Sequence, residues 1–114
     1  MDDGKLVRLM KALADASRFR MVQEIAAAGE LTCGEVGELF DLAQPTVSHH
    51  LKILADSGVL FVRRDGQHAL ISVNGALLDE ALMLVPRRLR TKPRPVVAAA
   101  SASRRPLRKR TRRA

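Results

Sequence analysis

Between positions 44 and 52 the chain sets Gln44, Thr46, Ser48, His49 and Lys52 around two apolar residues, Val47 and Leu51. Val47, Leu51 and Leu54 follow an i, i+4, i+7 spacing, which on a helix makes one buried stripe. The polar side chains are then left on the solvent side, where they can form hydrogen bonds but have no partners for bond breaking. A glutamine amide carries a donor beside an acceptor and matches the adenine edge, while the hydroxyls of Thr46 and Ser48 serve either kind of base group. His49 points outward with them. Lys52, one turn further on, suits a phosphate. His50 adjoins His49 and so points to another face, where packing is expected. An enzyme would need more: Cys33 has no local motif, there is no Gly-rich phosphate loop, and the acids are scattered over helix surfaces.

The elements that must hold this face are readable from period and end signals. A first helix is predicted from about Lys5 to Leu13, with Leu6, Leu9, Met10 and Leu13 as its stripe. Asp15 can cap a second helix from Ala16 to Ala28, with Phe19, Val22, Ile25 and Ala26 inward and Gly29 as the stop. Thr32 and Glu35 have capping-box spacing, so a third helix should run from Cys33 to Phe40 over Val36, Leu39 and Phe40. After the turn Asp41-Leu42-Ala43 comes the fourth helix, from Gln44 to Ser57, with Pro45 in its first turn and Gly58 beyond its end. Ala43 is a weak N-cap for it. Val59 to Arg64 and Gln67 to Val73 flank Asp65-Gly66, a two-residue loop that predicts a type I′ hairpin. That register sets Val62 against Ala69 and Leu60 against Ile71. Asn74 can cap a last helix from Gly75 to Val85, whose apolar stripe is too wide for one contact surface, and Pro86 discourages its continuation.

Helix, short turn and a second helix with polar residues in its first turns describe a helix-turn-helix, with the second helix in the major groove of double-stranded DNA. The hairpin is then a wing, and its tip carries Arg63, Arg64, Gln67 and His68 for backbone or minor-groove contact. The expected fold is mainly α with a small β-hairpin: a winged helix-turn-helix of about five helices and a two-stranded wing.

At these residues the chain resembles the ArsR-type (arsenical-resistance-repressor-like) regulators. Ala12-Leu-Ala-Asp-Ala-Ser-Arg18 is similar to the start of their second helix. Gln44-Pro-Thr-Val-Ser-His-His-Leu-Lys52 is similar to their recognition helix, and Ser57-Gly58 with Arg63-Arg64-Asp65-Gly66 to their wing. The resemblance spans residues 5 to 85. It implies a sequence-specific repressor, a homodimer in which the first and last helices pair, inverted-repeat operators and release by an effector. The dimer residues it implies here are Leu6, Leu9, Met10, Leu78, Leu82 and Val85. The chain departs from the family's metal sensors. Their third-helix site uses a Cys-x-Cys pair, and here Thr32 and Gly34 stand at those two positions with Cys33 between them; the last helix has Asp79 and Glu80 but no His. No metal and no cofactor are expected. Cys33 is a candidate thiol sensor, confined to a sulfenic acid, a mixed disulfide or an intersubunit bond.

The charge is unevenly placed. Residues 1–85 hold 8 Lys/Arg against 12 Asp/Glu, a net of −4, while residues 86–114 hold 12 Lys/Arg and no acid, so the chain totals +8. Residues 1–85 are read as the DNA-binding and dimerisation domain and 86–114 as a disordered basic tail, broken by Pro86, Pro93, Pro95 and Pro106. Such a tail would add sequence-independent affinity for phosphates. In a competing reading it dominates, and the chain is a DNA-coating or architectural protein. The tail lacks aromatics and an amphipathic pattern, so a membrane surface is not the expected partner. A single cysteine and an acidic N-terminus without a long apolar run fit a cytoplasmic, nucleoid-associated protein. The sequence names neither operator nor effector.

Overall fold

The computed structural model describes residues 1–90. In chain order they form α1 (Asp3–Leu13), α2 (Ala16–Ala28), β1 (Leu31–Thr32), α3 (Cys33–Phe40), α4 (Gln44–Asp56), β2 (Leu60–Asp65), β3 (His68–Val73) and α5 (Gly75–Arg88). The winged helix-turn-helix is present, with one strand more than expected. β1 pairs antiparallel with β3 and gives the sheet the order β1-β3-β2.

Side chains close most helix starts. The Asp15 carboxylate accepts from the Arg18 backbone N–H at 3.0 Å, and Asn74 Oδ1 accepts from Leu77 N–H at 3.2 Å. Thr32 and Glu35 form the expected capping box, at 3.1 and 2.8 Å. Asp2 caps α1 through Lys5 N–H at 2.7 Å, so this helix starts two residues before Lys5. Among the described helices α4 alone starts without a side-chain cap, at Ala43. Arg18 closes the other end of α1: its Nε donates to the Ala12 carbonyl at 2.6 Å and its Nη2 to that of Lys11 at 3.3 Å. A cation at a helix C-terminus satisfies orphan carbonyls and opposes the helix dipole.

The core gathers residues from all five helices and the hairpin. Leu6, Leu9 and Ala12 of α1 meet Met21, Val22 and Ile25 of α2, Val36 of α3, Val47, Leu51 and Leu54 of α4, Leu60 and Ile71 of the sheet and Ala81 of α5. On α2 the inward stripe is rotated from the expected one. Met21 is fully buried, whereas Phe19 is 51% exposed and Ala26 is exposed. Leu39 of α3 is also outside, at 56%.

The hairpin keeps its faces but not its predicted register. Val62 opposes Ile71, Leu60 opposes Val73 and Asp65 opposes His68, so the loop is Gly66-Gln67 rather than Asp65-Gly66. Gly66 alone of the pair takes a positive φ, 63°, which suits a loop with glycine in its first position. The base of the hairpin fixes this choice. Asn74 N–H bonds the Val59 carbonyl at 2.8 Å and Asn74 Nδ2 bonds the Gly58 carbonyl at 3.1 Å. Because the partner shifts by two residues, every side chain keeps its side of the sheet.

α5 runs three residues past the expected end at Val85 and includes Pro86. A proline there forfeits one backbone bond near the helix terminus. The last turn is held by Leu89 N–H to the Val85 carbonyl at 3.1 Å. Arg88 also ties it to α1, pairing with the Asp3 carboxylate and donating to the Met1 carbonyl at 3.0 Å. Residues 86–88 of the expected tail are therefore helical, and residues 91–114 lie outside the described residues.

Candidate nucleic-acid interface

α3 ends at Asp41, whose left-handed backbone (φ 53°) turns the chain into Leu42-Ala43. The Ala43 carbonyl then accepts from Thr46 and Val47 N–H at 3.0 and 3.1 Å and starts α4. Val47, Leu51 and Leu54 anchor one side of this helix in the core, and Gln44, Thr46, Ser48, His49 and Lys52 are exposed on the other, as their spacing required. His50 is partly buried, with Nδ1 3.5 Å from Arg18 Nη1. Arg18, which closes α1, thus also reaches the back of α4.

The exposed side chains are not equally free. Lys52 Nζ lies 3.1 Å from the Asp56 carboxylate, one helical turn on. The Gln44 amide leans back onto α3: its Oε1 accepts from Cys33 Sγ at 3.6 Å, and its Nε2 lies where a Cβ on Gly37 would be only 2.7 Å away. The same sulfur lies 3.8 Å from Ser48 Oγ. Cys33, partly buried, thus stands behind two side chains of the candidate reading face.

The wing presents Arg63, Arg64, Gln67 and His68, all exposed. Arg63 Nη2 is held by the Glu30 carboxylate at 3.1 and 3.2 Å. Arg64 points to the other face of the strand and forms no ion pair among the described residues. Exposed pairs contribute about 0–1 kcal/mol, so a phosphate can displace either carboxylate. The acidic partners Glu30 and Asp56, and the seat at Gly37, escaped sequence reasoning. Gly37 did leave a signal, since a glycine inside a helix costs about 1 kcal/mol against alanine and marks a close approach. Among the described residues no three His, Cys, Asp or Glu side chains gather as a metal site requires, and no helix is long and apolar enough to cross a membrane.

The residues expected to pair two copies divide. Leu6 and Leu9 are only 3% and 2% exposed; they pack inside the chain's own core and are not available to a partner. Leu78 and Val85 are half-buried, and Met10 and Leu82 are exposed, Leu82 at 76%. An open apolar groove of about 450 Å³ runs between α1, α2 and α5, lined by Met10, Leu13, Phe19, Val22, Leu78 and Leu82.

Comparison with known proteins agrees with this architecture. A sequence model described as a helix-turn-helix domain matches residues 13–63, from the end of α1 into the wing. The arsenical resistance operon repressor of Staphylococcus aureus is 35% identical over 82 residues, covering 72% of this chain and 78% of that one. Two solved structures share the fold. An ArsR-like transcriptional regulator from Rhodococcus sp. RHA1 superposes with a TM-score of 0.68 at 18% identity, over 75% of this chain and 79% of that one. The homodimeric winged helix-turn-helix DNA-binding domain Mb0332 of Mycobacterium bovis gives 0.62 at 22%, over 80% and 92%. At such identities the structures speak for the fold, and the repressor match carries the family. With its α3–turn–α4 unit, its wing and this match, the chain belongs to the ArsR family of winged helix-turn-helix transcriptional regulators, DNA-binding proteins rather than enzymes.

Proposed function

We propose that the chain is a homodimeric, sequence-specific repressor that sets two copies of α4 into successive major grooves of an inverted-repeat operator. One observation carries the reading: a helix anchored by Val47, Leu51 and Leu54 exposes Thr46, Ser48 and His49 together on its free side, with Gln44 at its start. These four residues are the base contacts in this account. Lys52 and the wing residues Arg63, Arg64, Gln67 and His68 position the backbone. Two such helices related by a twofold axis meet half-sites about one DNA turn apart, and occupancy of a promoter blocks polymerase.

The dimer reading rests on the apolar groove and its rim, Met10 and Leu82 flanked by Leu78, Val85 and Phe19. The mycobacterial domain of the same fold is itself described as a homodimer. The protein acts in the cytoplasm on nucleoid DNA and needs no metal or cofactor to bind it. A second reading has an observation of its own. Residues 1–90 carry 11 Lys/Arg against 12 Asp/Glu, and residues 91–114 carry 9 Lys/Arg with no acid. A protein whose cations lie so largely outside its reading helix could coat DNA through the tail alone.

Competition binding separates the two. The full chain, and the chain ending at Arg90, are titrated with the gene's own upstream DNA and with a scrambled duplex of equal length at about 150 mM salt. The repressor reading predicts a preference on the order of 10³-fold that survives truncation, with affinity lowered on both duplexes. No preference, with binding lost on truncation, selects the coating reading.

A further inference from the structure

The first polar residue of α4 is exposed, yet its amide does not point away from the protein. Its oxygen takes a hydrogen bond from the Cys33 thiol at 3.6 Å, and its nitrogen occupies space that exists because residue 37 has no side chain. We propose that Gly37 is a specificity-determining position: its missing Cβ is the seat on which the Gln44 amide rests in the free protein, and the seat controls how readily Gln44 reaches a base. Gly37 is buried and cannot touch DNA, so it is a positioning residue that acts through Gln44. The inference rests on the reading of Gln44 as a base contact.

The geometry separates this role from a packing role. A Cβ on Gly37 would meet Gln44 Nε2 at 2.7 Å and Cδ of the same side chain at 3.6 Å, but the nearest atom of any other residue, Val47 Cγ2, lies at 3.7 Å, an ordinary contact. The one group in the way is the end of a flexible side chain that can swing into solvent. An added methyl therefore expels the amide without opening the α3–α4 contact. A side chain docked in the free state binds as if its competent population were reduced, and removing the docked state returns that fraction. Loss of the Cys33 thiol loosens the same seat from its other side.

The test uses the full chain and a duplex enriched from a random pool by the wild-type protein, with a scrambled duplex as reference. The readouts are the ratio of the two affinities and the melting temperature. Gly37→Ala is expected to raise the ratio about threefold to tenfold, the scale of one modest hydrogen bond released. Binding to the scrambled duplex should stay constant, and the melting temperature should hold or rise. Cys33→Ala should move the ratio the same way by less. In a Gln44→Ala background neither change should matter. An unchanged or lowered ratio in Gly37→Ala, where Gln44→Ala itself alters the ratio, overturns the seat. So does an equal rise in the Gln44→Ala background. Should Gln44→Ala leave the ratio untouched, the base-reading role fails and takes the seat with it, a pattern distinct from the first two. If Gly37→Ala lowers the melting temperature, Cys33→Ala decides alone: a rise supports the seat and no change overturns it.

Discussion

His49 and Val47 lie two residues apart on α4 and have opposite surroundings, one in solvent and one fully buried. The division sets separate expectations. His49→Ala or Gln44→Ala should relax base preference by about 1–3 kcal/mol while the fold melts as before. Equilibrium titration against matched and mismatched duplexes measures this. A different residue links stability to pH. The Asp15 carboxylate accepts the Arg18 backbone N–H, and this bond first, with the nearby Arg18 charge assisting, holds its pKa below the ordinary value. Since the folded-state pKa is the lower one, the stabilisation is present above the ordinary carboxylate range and is lost as pH falls through the folded value. Asp15→Ala should be the less stable protein at pH 7, and its deficit should shrink on acidification. Paired denaturant titrations at pH 7 and near pH 3 follow the difference.

At the scale of elements, the capped starts of α2, α3 and α5 were the most legible feature. Asp15, Thr32 with Glu35, and Asn74 announce their helices because a cap bonds a backbone N–H only three residues away, so its spacing shows in the sequence. The exposed face of α4 was legible for a similar reason: its three apolar anchors fix which side is left over. What sequence could not supply came from contacts between distant segments. β1 has two residues, too few for any alternation, and exists because Leu31 meets Ile71. The hairpin loop was ambiguous, since Asp-Gly and Gly-X are both good two-residue loops, and the bonds from Asn74 to residues 58 and 59 decide between them. The length of α5 depends on Arg88 reaching Asp3 and Met1. Leu6 and Leu9 show the same limit, because periodicity marks an apolar stripe without saying whether the chain or a partner covers it. One element remains improvable. α4 starts at Ala43 without a side-chain cap, so Ala43→Ser should stabilise the fold by about 1 kcal/mol, read as a higher denaturation midpoint at unchanged slope.

For the whole molecule, charge and symmetry carry the expectations. Leu82→Asp places a carboxylate on the most exposed apolar side chain of α5 and should convert a dimer to a monomer in light scattering, with operator affinity falling alongside. Retention of the dimer would move the interface elsewhere. Removing residues 91–114 takes away nine cations, and the slope of log affinity against log salt should become shallower on every duplex. The division of labour between α4 and the wing is the core of the account. Its most direct measurement is the ratio of operator to scrambled-DNA affinity in His49→Ala and in Arg64→Ala, side by side at one salt concentration. The account predicts a ratio that collapses for His49→Ala and holds for Arg64→Ala, which should weaken both duplexes alike. A ratio that holds for His49→Ala, or falls equally in both variants, would contradict it.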